Sequence, residues 1–136
     1  MAERPGQRNL ILILARAFAS RLATAVFLVD ADGRVVYFNE AAEQLLGQRF
    51  VEGHGMAPEE YMRLFRPTDE AGNRIPIPET PLGSAVTRGQ PGHGRLSIRG
   101  ADGVTRFIEA TAFPLLEHTD EQVGAIAIFW ERPEGD

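Results

Sequence analysis

Short apolar runs separated by polar turns recur along the chain and predict a protein rich in short strands. The first two runs flank Asp30-Ala-Asp-Gly33, and glycine accepts the positive φ of a tight turn, so this segment predicts a hairpin. A second Ala-Asp-Gly follows the third run, and the polar loop 117–121 precedes the last one. The predicted strands are residues 25–29, 35–38, 96–99, 105–113 and 123–130.

Helix signals lie between the second and third predicted strands. Asn39 stands where a side chain caps a helix, and Gly47 stands where that helix would end. Pro58 suits the first turn of a second helix, and a third would be capped by Thr80 and ended by Gly89. The predicted helices span residues 40–46, 58–65 and 81–88, and three prolines make residues 66–79 a loop.

The N-terminal segment predicts one more helix, although its Ile-Leu-Ile stretch is locally compatible with a strand. Asn9 is the expected cap, and Arg16 interrupts an apolar run that is too short for a membrane span or a convincing signal peptide. The apolar residues at intervals of four are Leu10, Leu14, Phe18 and Leu22. This row must be buried against either the chain's own sheet or a second copy of the helix, and the sequence favours neither.

The order of elements predicts an α+β fold, with helices inserted into the middle of an antiparallel sheet. The first and last strands are apolar on both faces, so both faces of the sheet need cover. The inserted helices would cover one face, and the N-terminal helix or a partner copy would cover the other. We expect a flexible lead-in at 1–8, a flanking helix at 9–22, one domain at 23–132 and a tail at 133–136.

Composition narrows the chemistry. The chain has 136 residues, enough for one domain, and its net charge of −5 argues against nucleic acid as the main partner. Cysteine is absent, which excludes disulfides, thiolate nucleophiles and cysteine-ligated metals. All 14 basic residues are arginine, so Schiff-base chemistry and a P-loop lysine are excluded as well.

Few side chains suggest catalysis. An apolar strand followed by Asp30 and Asp32 resembles the start of a haloacid-dehalogenase-type phosphatase, in which one aspartate is the nucleophile. Arg34 and the absence of lysine speak against that alternative, and a hairpin turn is the preferred interpretation. The chain's three histidines share no metal-ligand spacing. Two further groups of side chains are candidates for binding a ligand: the histidines His54, His93 and His118, and the arginines Arg66, Arg74 and Arg88, which could bind an anion.

The layout and its residues resemble a PAS domain of bacterial two-component and related signalling proteins. The resemblance rests on Val26-Phe-Leu-Val-Asp-Ala-Asp-Gly-Arg-Val-Val-Tyr-Phe-Asn-Glu-Ala-Ala-Glu-Gln-Leu-Leu-Gly47. It continues in Ile75-Pro-Ile-Pro-Glu-Thr-Pro-Leu-Gly-Ser-Ala-Val-Thr-Arg-Gly89 and in the last two predicted strands. It covers residues 22–130, nearly the whole chain.

The resemblance implies a five-stranded antiparallel sheet, a cavity between the sheet and the helices, and sensing or protein–protein signalling rather than catalysis. The positions that match cavity residues of the family are Phe27, Val29, Leu46, Tyr61, Phe65, Leu82, Val86, Leu96, Ile98, Ile108, Ala110, Ala112 and Ile126. Ala110 and Ala112 would leave room for a small ligand, but these residues would also serve as an ordinary filled core. The ligand, if any, stays open.

The resemblance also implies limits on cofactors and output. Without cysteine there is no flavin–thiol adduct, and the helix at 80–88 lacks the histidine that haem-binding relatives carry, so we do not expect haem. The family often ends in Asp-Ile-Thr, whereas Glu131-Arg-Pro133 stands here, which puts the usual output linkage in doubt.

Two hypotheses follow beside the phosphatase. The first is a cytoplasmic sensor module that forms a homodimer through residues 10–22 and signals to a protein partner or effector domain. The second is a structural dimerisation module with a filled core. Neither involves nucleic acid or membrane insertion.

Overall fold

A five-stranded antiparallel sheet with helices on both faces forms the protein. The structure is a computed structural model that describes the backbone of residues 5–9 and all atoms of residues 10–53, 55–117 and 121–133. The strands lie in the order β2-β1-β5-β4-β3. The elements are α1 (Pro5–Ala19), β1 (Ala25–Asp30), β2 (Val35–Phe38), α2 (Glu40–Leu46), α3 (Pro58–Phe65), a 3-10 turn (Ile77–Glu79), α4 (Pro81–Arg88), β3 (Gly92–Arg99), β4 (Thr105–Leu116) and β5 (Gln122–Glu131). The predicted α+β plan is confirmed.

The two faces of the sheet serve two separate apolar clusters. On the inner face, alternate residues such as Phe27 and Ala110 join side chains of α2, α3 and α4 in the main core. On the outer face, Val26, Leu28 and Ile126 form a smaller cluster that α1 covers through Leu12 and other side chains. Because a strand alternates its side chains, strands buried on both faces carry apolar residues at every position.

Local capping signals place the inserted helices as predicted. The Asn39 side chain accepts a hydrogen bond from the Ala42 amide at 3.0 Å, and Gly47 ends α2 in the left-handed region. Thr80 caps α4 through the Gly83 amide at 2.9 Å, and Gly89 ends that helix in the same way. Helices α2 and α4 therefore begin and end at the capping residues that the sequence predicts.

Several boundaries differ from the prediction, most of all those of α1, the start of β3 and the end of β4, which extends to Leu116. Helix α1 begins at Pro5 rather than at Asn9 and ends at Ala19, where the chain turns through backbone bonds from Arg21 to Phe18 and from Leu22 to Ala19. The predicted flexible lead-in at 1–8 is therefore helical from Pro5 onward. Strand β3 begins at Gly92, four residues early, because its glycine-rich start pairs with β4, and the loop 66–79 contains the 3-10 turn.

Both edges of the sheet are partly covered by loop segments. Met56 pairs with Val35 on the edge strand β2, and Thr68 exchanges backbone hydrogen bonds with Ser97 on the edge strand β3. Such cover removes free backbone groups that would otherwise invite pairing with another sheet. Among the described helices, none is long and apolar enough to cross a membrane.

Asn39 joins α1, β1 and α2 at a single buried point. Its side-chain oxygen accepts from the Val26 amide as well as from Ala42, both at 3.0 Å. Its amide nitrogen donates to the carbonyls of Ala19, Leu22 and Thr24 at 2.9–3.3 Å. The side chain that caps α2 therefore also holds the segment in which α1 leads into the sheet.

Candidate functional site

An apolar cavity of about 90 Å³ lies between the inner face of the sheet and helices α3 and α4. Carbon atoms form nearly all of its wall. The wall contains side chains from the sheet, from helices α2, α3 and α4, and from the loop after α3. The lining residues are Phe27, Leu46, Tyr61, Met62, Phe65, Pro67, Thr80, Pro81, Leu82, Leu96, Ile98, Ile108, Ala110, Ala127 and Phe129.

The structure brings nine of the thirteen expected cavity residues to this wall. They are Phe27, Leu46, Tyr61, Phe65, Leu82, Leu96, Ile98, Ile108 and Ala110. Val29 and Ala112 are buried in the same core and Val86 packs against it, but these three do not reach the cavity.

The predicted cavity position of Ile126 is wrong, because its side chain lies on the outer face of the sheet. Its side chain belongs to the outer cluster beneath α1, whereas its neighbours Ala127 and Phe129 line the cavity. Apolar residues occupy both faces of β5, so alternation alone could not orient the strand. The pairing of Phe27 with Ala127 does orient it, because directly paired residues in an antiparallel sheet point to the same side.

Sequence reasoning also missed Met62, Pro67, Thr80 and Pro81 at the cavity wall. The sequence predicts only a capping role for Thr80 and a first-turn role for Pro81, but the cavity lies beside the start of α4 that they form. Pro67 lies in the loop that follows α3 and is buried. The i,i+4 pair Tyr61 and Phe65 was a usable signal for the face of α3, but Met62 lies beside that pair.

Aromatic rings form one side of the cavity. The Phe27 ring lies 6.0 Å from Tyr61, 6.4 Å from Phe65 and 6.0 Å from Phe129, measured between ring centroids. All three pairs have edge-to-face geometry, which aromatic pairs prefer over stacked sandwiches. Phe27 also lies 5.3 Å from Phe38, which extends the cluster away from the cavity.

Tyr61 is the polar group with the most perturbed environment at this site. Burial, assisted by the negative charge of Glu59, raises the pKa of Tyr61 to about 12. The phenol therefore stays protonated at neutral pH. Its hydroxyl makes no hydrogen bond with the described residues, and it is not among their fully buried unpaired atoms, so water can reach it.

The aromatic cluster reaches the outer helix through a second contact group. Phe38 lies 5.4 Å from Phe50, and Phe50 lies 5.3 Å from Tyr37. The Arg16 guanidinium of α1 lies 4.5 Å from the centre of the Tyr37 ring and bonds the Glu52 carboxylate. This hydrogen bond lowers the pKa of Glu52. Arg16 thus ties α1 to the loop between α2 and α3.

The four residues of the apolar row predicted on α1 have different environments in the structure. Leu10, Leu14 and Phe18 are 52–60% exposed, as is Ile13, and they point away from the sheet. Leu22 is different, because it lies beyond the end of α1 and packs half-buried on the chain's own outer cluster. The chain's own sheet takes the opposite face of α1, through Leu12, Ala15 and Ala19.

The other candidate residues have local roles. The Asp30 side chain accepts from the Asp32 and Arg34 amides at 2.9 and 3.0 Å, so it shapes the predicted β1–β2 hairpin. His93 lies on β3 rather than in a loop and bonds Glu109 at 2.7 Å on the outer face. His54 and His118 lie outside the described residues, within which no cluster of three metal-ligating side chains is found.

Comparisons with known proteins agree with this architecture. A family model described as the PAS fold matches residues 19–134. A PAS domain from Colwellia psychrerythraea matches at 19% identity and a TM-score of 0.60, covering 90% of this chain and 97% of its own. The PAS domain of nitrogen regulation protein NR(II) from Vibrio parahaemolyticus matches at 18% identity and 0.59, covering 88% and 98%.

A light-oxygen-voltage protein from Rhodobacter sphaeroides also matches, at 15% identity and a TM-score of 0.69, covering 97% of this chain and 70% of its own. No curated protein matches the sequence. At identities of 15–19% the solved structures support the fold alone. The family model matches most of the chain and therefore identifies the family. Together with the strand order and the cavity, the match shows that this chain belongs to the PAS-fold family.

Proposed function

We propose that this chain is a sensory signalling module that binds a small, mainly apolar molecule in the inner cavity and forms a homodimer through α1. The apolar cavity between the sheet and helices α3 and α4 is the observation that carries the proposal. A cavity of about 150 Å³ holds benzene, so about 90 Å³ accommodates three or four carbon atoms, and the polar end of a slightly longer chain would lie outside it. A ligand of that size is much smaller than a flavin or a haem, which do not fit this cavity.

A small alcohol tests the sensing proposal directly. We expect 1-pentanol to shift the backbone NMR signals of cavity residues in a saturable way. Ala110→Leu should abolish those shifts, because the added carbons occupy the cavity. Thr111→Leu is the matched control, since Thr111 is the next residue of β4 and does not line the cavity. If 1-pentanol leaves the cavity signals of the unaltered chain unchanged, the module is structural with a filled core.

The exposed face of α1 supports the dimer. Its four exposed apolar residues offer roughly 100 Å² each, about half of the 800 Å² that a standard interface takes from each partner. The outer face of the sheet, which α1 covers at β1 and β5, carries more exposed aromatic surface, at Phe107, Phe113 and Trp130. A second copy that covers both would reach the standard size.

Light scattering tests the dimer. We expect the unaltered chain to be dimeric at tens of micromolar and the double variant Leu14→Glu with Phe18→Glu to be monomeric. Leu64→Glu with Val104→Glu is the matched control, because both residues are exposed, and Leu64 lies on α3 at the opposite face of the sheet while Val104 lies in the loop before β4. A monomeric unaltered chain, or a dimer that survives the helix variant, would remove this part of the proposal.

The third part of the proposal is the signalling output. In a bacterial two-component pathway such a module would act in the cytoplasm and transmit its state to a partner protein or effector domain. Arg16 supports a route for that transmission, because it connects α1 to the aromatic cluster that begins at the cavity.

A further inference from the structure

We propose that the ligand is a short amphiphilic carboxylate, with its apolar tail in the cavity and its carboxylate bound by Arg63 and Arg74 in an adjoining groove. This inference rests on the proposed sensing function and names the chemical class of the ligand. The groove has a volume of about 460 Å³ and is lined by Glu59, Met62, Arg63, Pro67, Arg74, Ile75, Pro76 and Ile77.

The groove and the cavity share a wall. Met62 and Pro67 line both spaces, so one layer of side chains separates the apolar interior from the two arginines. Met62 is only half-buried, and an unbranched thioether side chain rotates readily. A ligand that displaces Met62 would lie with one end in each space.

Both arginines are available to an anion. Arg63 and Arg74 are exposed and make no ion pair with any described residue, whereas Arg16 and Arg106 are bound by carboxylates. Glu59 is the single acidic residue of the groove wall, so the wall is net positive in a chain whose net charge is −5. Guanidinium groups bind carboxylates through paired hydrogen bonds of defined geometry.

The local fold holds these groups in place. Glu59, Met62 and Arg63 follow an i, i+3, i+4 spacing on α3, which puts them on one face of the helix. Arg74 closes a small loop in which it pairs with Thr68, and the Ile75 amide bonds the Pro67 carbonyl at 3.0 Å. The cationic groove and the part of the cavity wall that adjoins it are thus built from the same two segments.

A second groove, about 500 Å³ in volume, adjoins the cavity at Thr80 and Pro81 and contains Arg88 and His93. Its shared wall is rigid, because the Thr80 hydroxyl donates to the Ile77 carbonyl at 2.8 Å and accepts from the Gly83 amide at 2.9 Å. His93 is already bound by Glu109. The groove beside Met62 is therefore the better site for a headgroup.

Pentanoate and 1-pentanol form a matched pair of probes for NMR titration, because they differ mainly in the charged headgroup. We expect pentanoate to bind at least tenfold more tightly than 1-pentanol and to shift signals in both the cavity and the groove. Raising the salt concentration to 0.5 M should weaken pentanoate and leave 1-pentanol unchanged.

The variant Arg63→Gln with Arg74→Gln should weaken pentanoate at least tenfold and 1-pentanol less than twofold. Arg49→Gln with Arg99→Gln removes the same charge from exposed positions outside the groove and should change neither affinity. Equal affinities for the two probes, equal losses in the two double variants, or pentanoate shifts confined to the groove would overturn this inference alone. If neither probe affects the cavity, the sensing function itself fails, and this inference fails with it.

Discussion

Asn39 allows a sharp test of how the outer helix is joined to the core. Replacing it with alanine leaves the Val26 and Ala42 amides without their acceptor and three carbonyls without their donor. A buried polar group left unpaired costs about 1–3 kcal/mol, and loss of a helix cap costs about 1 kcal/mol. Both amide residues are fully buried, whereas Leu22 and Thr24 lie near solvent and their carbonyls can bind water.

We therefore expect Asn39→Ala to lower the free energy of unfolding by about 3–5 kcal/mol. That is a large share of the stability of a typical domain. Urea denaturation followed by far-ultraviolet circular dichroism measures the loss. Asn73→Ala is the matched control, because Asn73 is exposed in the 66–79 loop and should change stability by less than about 0.5 kcal/mol.

Asn39→Asp separates the acceptor role from the donor role. The introduced carboxylate still accepts from the two amides but places oxygen against three carbonyl oxygens. At neutral pH we expect a loss comparable to that of the alanine variant. The folded state favours the protonated carboxyl, which can donate, so this variant should regain stability as the pH falls. A loss below about 1 kcal/mol for Asn39→Ala, or an aspartate variant as stable as the unaltered chain at pH 7, would refute the reasoning.

Three further predictions concern single positions. Burial raises the pKa of Tyr61 to about 12, so the folded state holds the phenol proton more tightly than the unfolded state. Stability should fall by roughly 2–3 kcal/mol as the pH rises from about 10 to 12, and Tyr61→Phe should remove most of that fall in urea titrations. Gly83→Ala should cost about 3 kcal/mol or more in thermal melts, because an added Cβ would overlap the Ile77 carbonyl, while Ser84→Ala should be nearly neutral. Arg66 ends α3 at φ 43°, so Arg66→Gly should stabilise the chain by up to about 1 kcal/mol, and a loss of stability would contradict that strain.

The inserted helices could be predicted well because their signals are local. Asn39, Thr80, Gly47 and Gly89 act on backbone groups within four residues, and each does in the structure what its type favours. The predicted start of α1 was wrong because no strong local signal marks it. The polar segment before the apolar run contains no strong capping residue, so the sequence predicts that the helix begins at Asn9. In the structure the helix begins at Pro5.

The cavity could be predicted in part. Residues on strands with one assignable face, such as Leu96 and Ile98, lie at its wall as expected. The prediction for Ile126 was wrong because β5 is apolar on both faces, so the orientation of this strand depends on its pairing with β1. The groove beside Met62 could not be predicted, since it forms only where α3 and the 66–79 loop come together.

Sequence patterns alone predict the order of strands and helices along the chain and the hairpin at Asp30, and composition excludes cysteine chemistry. Hydrophobic period, turn residues and caps act over a few neighbours, so they can be read from the chain. The face of α1 that stays exposed, the rings that enclose the cavity and the arginines that adjoin it follow from the packing of the folded chain. Those facts depend on contacts between residues far apart along the chain, where several arrangements satisfy the same local pattern until packing selects one.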